Sequence, residues 1–276
     1  MLNTVHTGKL QKRSGITPLF FVIKGKREAE GMESKIEPLG GGVIIHTTPA
    51  YRFGTDAILL ADFAAPKAGE AAADLGCGGG IIPLLWCRDR QIGPILGLEL
   101  QEEACRLARR SAEESGVSDR LEILEGDLRQ IQALGRSGSC RVVTCNPPYR
   151  AKADGLRAPD PARAVARHEL TCTLPEVARA AAYLLSTGGR FCLCQRPERL
   201  CDAMLALRQA DLEPKRLRLV CQRAGAGPWL FLLEGRRGGR PGLRVLPTLY
   251  LEEDGRPSRE MEEIYGIYRE NRVKPL

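Results

Sequence analysis

Asp74-Leu75-Gly76-Cys77-Gly78-Gly79-Gly80 is the stretch that decides how this chain folds. Just upstream, residues 71–75 form a short apolar run that reads as a buried strand. Downstream, residues 81–90 carry apolar side chains at helical spacing, with Pro83 tolerable in a first turn. A strand, a glycine turn and a helix in that order open a βαβ unit. The glycines permit a tight turn and let a ligand approach the backbone. Taken alone, the loop also suits a purely structural turn.

The same alternation extends in both directions. Before the loop, residues 43–46 predict a strand and residues 56–65 a helix. After it come a strand over 95–100 and a helix over 101–115. That helix has Glu102 and Glu103 at its start and Arg109 and Arg110 towards its end, the favourable sense for its dipole. Strands follow over 121–124 and 141–145, the second stopping at Pro147-Pro148. The pattern then predicts a helix over 174–186 closed by Gly188-Gly189, a strand over 190–194 and a helix over 197–209. A hairpin of 217–221 and 229–234 and a terminal helix over 258–268 complete it. Strands alternating with helices predict an α/β fold, a parallel sheet covered on both faces. Ligands of such sheets bind at the carboxyl ends of the strands, so chemistry is expected in the loops that follow them.

Composition bounds the function. Of 276 residues, 43% are hydrophobic and 27% charged, which excludes a disordered, collagenous or coiled-coil chain. No apolar run approaches the ~18–20 residues of a transmembrane helix, so a soluble, cytoplasmic protein is expected. Most of the ten cysteines sit inside apolar runs and read as buried reduced thiols. No CxxC pair exists, and no metal site is expected. The net charge of +7 hints at a polyanionic partner. Two segments carry the excess. Residues 1–31 hold Lys9, Lys12, Arg13, Lys24, Lys26 and Arg27, without clear periodicity; they read as a flexible basic extension or as an artefact of start-site choice. Residues 213–244 hold Lys215, Arg216, Arg218, Arg223, Arg236, Arg237, Arg240 and Arg244. Residues 32–276 are expected to form one domain with a C-terminal hairpin and helix.

Three acids follow three successive strands. Asp74 precedes the glycines, Glu99 ends the next strand 25 positions later, and Asp127 follows Gly126. A carboxylate at the position of Glu99 can accept hydrogen bonds from both hydroxyls of a ribose. Asp127 can accept from an adenine amino group, or simply cap a helix. No lysine follows the glycines, so this is not a triphosphate loop. Asp74 beside the turn would repel a pyrophosphate and suit a cationic amino-acid end. That favours S-adenosylmethionine, which carries a sulfonium and an ammonium and no phosphate.

The fourth strand ends in Asn146-Pro147-Pro148-Tyr149. Two prolines remove two amide donors and fix φ twice, giving a rigid loop. An amide oxygen, a proline carbonyl and a flat ring together suit a planar group bearing an NH2. The lone pair of such an amine is delocalised into its ring. Two acceptors on its two hydrogens favour the pyramidal form and aim the lone pair at a methyl group, while Tyr149 stacks on the base. Orientation of this kind can supply several kcal/mol.

Together the loop at 74–80 and the tetrapeptide at 146–149 resemble class I S-adenosylmethionine-dependent methyltransferases that act on planar amine nitrogens. Further stretches are more specific: Tyr51-Arg52-Phe53-Gly54-Thr55-Asp56-Ala57-Ile58-Leu59-Leu60-Ala61, Val165-Ala166-Arg167-His168-Glu169, Gly188-Gly189-Arg190-Phe191 and Pro241-Gly242-Leu243-Arg244-Val245-Leu246-Pro247. With them, residues 32–268 look like the bacterial tRNA (adenine-N6) methyltransferase group, whose known member modifies a valine tRNA at the adenine 3′ of the anticodon. The resemblance implies a Rossmann-like, mostly parallel seven-stranded sheet with one antiparallel strand and helices on both faces. It implies S-adenosylmethionine as cofactor, held by Asp74, Gly76, Cys77, Gly78, Glu99 and Leu100, with Asp127 and Leu128 at its adenine. Phe53, Gly54, Thr55 and Asp56 would cover its methionine end. Asn146, Pro147, Pro148 and Tyr149 would hold the target base, with Asn146 touching the cofactor as well. By themselves, Thr55-Asp56 read as a helix N-cap and 167–169 as a polar helix start.

Asn-Pro-Pro-Tyr also occurs in enzymes that methylate release-factor glutamine, DNA adenine and ribosomal RNA, all of which present a planar NH2. Residues 1–40 are too short and irregular for the N-terminal helical domain usual in the glutamine enzymes. No insertion of ~100 residues offers a DNA target-recognition domain. Lys215, Arg216 and Arg218, with His168, are therefore expected to contact tRNA. An unpaired anticodon-loop base costs less to extrude than one in a duplex. No membrane and no obligate protein partner are expected.

Overall fold

Short apolar runs become strands because both faces of the sheet are covered. In the computed structural model, which describes residues 34–89, 91–147 and 172–269, neighbouring strand residues pack into opposite cores. Ala72, Val142, Cys192 and Cys194 face one cluster with Leu60, Trp86 and Cys105. Ala73, Val143, Phe191 and Leu193 face the other with Val177, Ala181 and Leu207. The period-two alternation of a strand explains why Val142-Val143 is buried throughout.

In chain order the elements are β1 (Lys35–Gly40), β2 (Val43–Thr47), α1 (Thr55–Ala64), β3 (Ala72–Leu75), α2 (Ile81–Cys87) and β4 (Ile95–Glu99). Next come α3 (Glu102–Glu114), β5 (Leu121–Glu125), a 3₁₀ stretch Leu128–Leu134, β6 (Cys140–Cys145), α4 (Leu174–Leu184) and β7 (Leu185–Gln195). The chain continues with α5 (Leu200–Gln209), β8 (Leu212–Cys221), β9 (Pro228–Arg237), β10 (Arg244–Val245), β11 (Leu249–Tyr250), β12 (Glu252–Glu253), β13 (Arg256–Pro257) and α6 (Arg259–Arg269). No helix among the described residues is long and apolar enough to cross a membrane.

The main sheet runs β8-β9-β7-β6-β3-β4-β5, with two-residue β10 and β11 added alongside β8. The centre from β7 to β5 is parallel. Strand β9 is antiparallel to both neighbours. The seven long strands with one reversed member are those expected; β10 and β11 are additions that two-residue patterns do not announce.

Local rules account for the helices. In α3 the buried residues Ala104, Cys105, Leu107, Ala108, Ser111 and Ala112 make one stripe at helical spacing. Helix α4 begins with a capping box: Thr173 accepts from the Glu176 amide at 3.4 Å, and the Glu176 carboxylate accepts from the Thr173 amide at 2.6 Å. The hairpin β1–β2 lies against α3, where the His46 and Ile44 amides donate to Ser111 Oγ and Ser115 Oγ, both at 2.9 Å.

Several boundaries differ from the sequence pattern: β8 starts at Leu212 rather than 217, and β9 spans Pro228–Arg237 rather than 229–234. Helix α2 stops at Cys87, where the Arg88 guanidinium donates to Leu85 O and Leu39 O. Helix α4 stops at Leu184, and Gly188-Gly189 lie within β7 rather than closing a helix. The cause is pairing: Leu185 already partners Cys140, and a bulge then resets the register to Val142 with Arg190. A Cβ at Gly189 would stand 2.9 Å from Ser186 O, so the bulge needs glycine.

Candidate active site

The glycine loop is pinned to the neighbouring strand. Gly76 and Cys77 both donate their amides to Leu98 O, at 2.7 and 3.1 Å. Gly76, Gly78 and Gly80 all have positive φ, which explains a loop of alternating glycines. At Gly80 there is a second reason: a Cβ would meet Ala108 Cβ at 3.0 Å, so this glycine lets α2 and α3 approach.

Two acids are built in beneath this loop. Glu99 is 2% exposed. One of its oxygens accepts from the Gly78 amide at 2.8 Å and the other from the Gln101 amide at 2.9 Å. A carboxylate has about four acceptor positions, so both oxygens keep capacity for a diol. Asp74 is also 2% exposed and accepts from Thr144 Oγ1 at 2.7 Å. Burial pushes the Asp74 carboxyl up to about 7; the Thr144 hydrogen bond opposes this and the Glu99 charge adds to it. A carboxyl so poised is an acceptor in search of a cation.

Asp74 opens onto a cavity of about 210 Å³. Its wall also holds Tyr51, Phe53, Gly54, Asp56, Gly78 and Asn146. Of the residues expected around the cofactor, Phe53, Gly54, Asp56, Asp74, Gly76, Cys77, Gly78 and Asn146 line this one cavity, and Thr55 and Glu99 do not. A smaller cavity of about 30 Å³ shares Gly76 and is lined by Leu98, Leu100, Asp127 and Leu128. Glu99 holds the loop from below.

Asn146 follows β6 and is fixed from two sides. Its Nδ2 donates to Asp56 Oδ2 at 3.1 Å, and Cys194 Sγ donates to its Oδ1 at 3.1 Å. Pro147 follows it. Pro148, Tyr149 and His168 lie outside the described residues.

Several expected residues are engaged otherwise. Asp127 caps the 3₁₀ stretch through the Arg129 amide at 2.9 Å and grips the Arg129 guanidinium at 2.5–3.0 Å. That side-chain hydrogen bond holds its carboxyl below the usual range. The helix-cap alternative is therefore realised here. Thr55 turns away from the larger cavity and shares a hydrogen bond with Tyr265 Oη at 3.1 Å. The N-cap of α1 is Gly54, not the Thr55-Asp56 pair, because Thr55 is already the first helical residue.

The basic residues of β8 are drawn into the fold. Arg216 donates to Glu234 at 2.8 Å and to Phe63 O at 3.0 Å, and its guanidinium lies 4.4 Å from the Phe63 ring centre. Arg218 donates to Glu260 at 2.6 Å and to Pro247 O at 3.0 Å. Lys215 donates to Arg240 O at 3.1 Å. Strand β8 also stands three places from β6 in the sheet, so the structure does not bring these residues to Asn146. Exposed arginines following strands at this end of the sheet include Arg129, held by Asp127, Arg196, which lies over the Trp229 ring at 5.5 Å, and Arg223, while Arg52 lines the larger cavity.

Sequence reasoning missed Thr144, Cys194 and Tyr51. Thr144 and Cys194 are signalled only by strand order, since they reach Asp74 and Asn146 from neighbouring strands. Tyr51 was quoted in a motif without a role. Among the described residues no group of three potential ligands could hold a metal ion.

This fold and this site, a mixed sheet with a glycine loop, buried acids and Asn146 at the strand ends, define a Rossmann-like methyltransferase. The sequence profile of the methyltransferase small domain matches residues 53–206, and the chain belongs to that family. It is 33% identical over 168 residues to a Porphyromonas gingivalis protein named tRNA1(Val) (adenine(37)-N6)-methyltransferase. That match covers 59% of this chain and 65% of the relative, just under two thirds of its length. A protein of the same name from Aeromonas hydrophila is 31% identical, with 70% of this chain and 80% of the relative covered. A crystal structure described as a predicted O-methyltransferase from Agrobacterium tumefaciens superposes with TM-score 0.62 at 22% identity, over 78% of this chain and 97% of that one.

Proposed function

We propose that this chain transfers the methyl group of S-adenosylmethionine to the exocyclic N6 of an adenine in tRNA, and that the target is the adenine 3′ of the anticodon in a valine tRNA. One observation carries the reaction type: buried Asp74 and the two-sided Asn146 amide line the same cavity. The printed names of the relatives, tRNA1(Val) (adenine(37)-N6)-methyltransferase, support the substrate.

The residues present fit the cofactor. A carboxyl raised to about 7 by burial gains from a cation beside it, and the ammonium end supplies one. Backbone turned inward at the glycine loop lets that end approach closely. Glu99 retains acceptor capacity for the ribose hydroxyls. Leu100 and Leu128, on the smaller cavity, offer apolar faces to the adenine. When bound, S-adenosylmethionine supplies a methyl group made electrophilic by its sulfonium.

The chain's own part is to hold and orient. Asn146 Oδ1 and the Pro147 carbonyl accept hydrogen bonds from the two N–H groups of the target amine and turn its lone pair towards the methyl carbon. Tyr149 supplies the ring for the plane of the base. With the cofactor bound, transfer would form the nitrogen–carbon bond at the expense of the S–CH3 bond, whose electron pair would stay on sulfur. The extra proton on nitrogen is then acidic and leaves to solvent, so no strong base is needed. Arg52, Arg196 and Arg223, exposed at this end of the fold, are assigned to the phosphate backbone.

The test is mass spectrometry of nucleosides from unmodified bulk tRNA after incubation with the protein and S-adenosylmethionine. New N6-methyladenosine is expected. Its absence, with methylation of ribosomal RNA or of a Gly-Gly-Gln peptide instead, overturns the tRNA assignment.

A further inference from the structure

An asparagine serves an amine as acceptor only when its amide points the right way. Rotated by half a turn, it presents NH2 to NH2. Two neighbours of Asn146 fix the sense. Asp56 Oδ2 lies 3.1 Å from Nδ2, and an ionised carboxylate only accepts, so it selects the nitrogen side. Across the amide, Cys194 Sγ lies 3.1 Å from Oδ1. Cys194 is fully buried, and its thiol is a weak donor to that oxygen.

The approach of Asp56 depends on its neighbour. Gly54 caps α1 in extended backbone, and a Cβ there would stand 2.5 Å from Asp56 Oδ1. Any side chain at this position pushes the carboxylate off its present place. The three parts come from three separate elements, α1, the loop after β6, and β7.

We propose that Asp56 is a positioning residue for methyl transfer: it holds the Asn146 amide with its oxygen towards the acceptor amine, Gly54 leaves room for its carboxylate, and Cys194 steadies the oxygen. This rests on the proposed role of Asn146 as acceptor for the target amine. The effect belongs in turnover at saturating cofactor, because misplacing a reacting group by about 1 Å costs on the order of 100-fold.

The experiment compares Asp56→Ala, Asp56→Asn, Gly54→Ala and Asn146→Ala in full-length protein. Single-turnover methylation of tRNA, calorimetry with S-adenosylmethionine, and the side-chain NH2 resonances of Asn146 in a ¹⁵N spectrum are read together. Asp56→Ala and Gly54→Ala should each lower single-turnover kcat at saturating cofactor roughly 10–100-fold, a loss beyond any change in cofactor affinity at the cavity they line. Asp56→Asn keeps an acceptor oxygen and should recover most of that loss. The Asn146 NH2 signals should move in Asp56→Ala and stay near their places in Asp56→Asn. Full turnover in Asp56→Ala, equal loss in Asp56→Asn, or a loss seen wholly as weaker cofactor binding overturns the proposal. If Asp56→Ala does not fold, Gly54→Ala and Asp56→Asn decide in the same way. Normal turnover in Asn146→Ala would instead overturn the parent reading of Asn146.

Discussion

Thr144 donates its hydroxyl proton to Asp74 at 2.7 Å from the adjacent strand, inside a site where both residues are buried. That bond is the polar group holding the Asp74 carboxylate down while burial pushes it up to about 7. In Thr144→Val the carboxyl should rise further. Asp74 ionises on meeting a cationic ligand, so S-adenosylmethionine affinity should increase as pH rises through about 7 in the parent. In the variant that midpoint should move to higher pH. Calorimetry across pH 6 to 9 checks it; a pH-independent affinity in both proteins contradicts it.

Asp74 also bears on stability. Its folded value lies above the usual carboxylate range, so the folded chain keeps a proton that the unfolded chain gives up. The stabilising contribution is therefore complete below about 4 and is lost as pH rises through about 7. Asp74→Asn removes this loss. Its Tm should exceed the parent's at pH 8 and approach it at pH 5, while cofactor binding fails. Thermal melts at the two pH values read the difference.

Glu99 ties the glycine loop through Gly78 and Gln101. Glu99→Ala should weaken cofactor binding about tenfold or more, since it removes charge-assisted hydrogen bonds from the loop as well as a ribose acceptor. Unchanged affinity by calorimetry would remove Glu99 from the site.

The arginines separate into two groups. Arg216→Gln leaves Glu234, 3% exposed, without its ion partner, and should lower Tm by several degrees. Arg52→Gln and Arg223→Gln combined should leave Tm nearly unchanged and flatten the salt dependence of tRNA binding. Melting curves and binding titrations at several salt concentrations distinguish the groups.

Much of this was legible in the sequence because its signals are local. The glycines at 76, 78 and 80 mark left-handed backbone, and the acids at 74 and 99 are the penultimate and last residues of successive strands. What the sequence could not reveal was lateral. Nothing near Cys194 says that β7 lies beside β6 and brings a thiol to Asn146. Nothing around Arg216 says that Phe63, 153 positions earlier, lies under its guanidinium. The basic stretch on β8 read as contacts for tRNA, yet the chain beyond β9 engages two of its cations: Lys215 reaches Arg240 O ahead of β10, and Arg218 reaches Pro247 O between β10 and β11 and Glu260 on α6. Asp127 shows the same limit: its place after a strand is readable, but its capture by Arg129 is not.

The most direct measurement is methylation by Asn146→Ala beside the parent protein, with unmodified tRNA and S-adenosylmethionine, read by nucleoside mass spectrometry and paired with calorimetry of the cofactor. The account predicts N6-methyladenosine from the parent, none above background from the variant, and cofactor affinities within about threefold. Parent-level N6-methyladenosine from Asn146→Ala would contradict it.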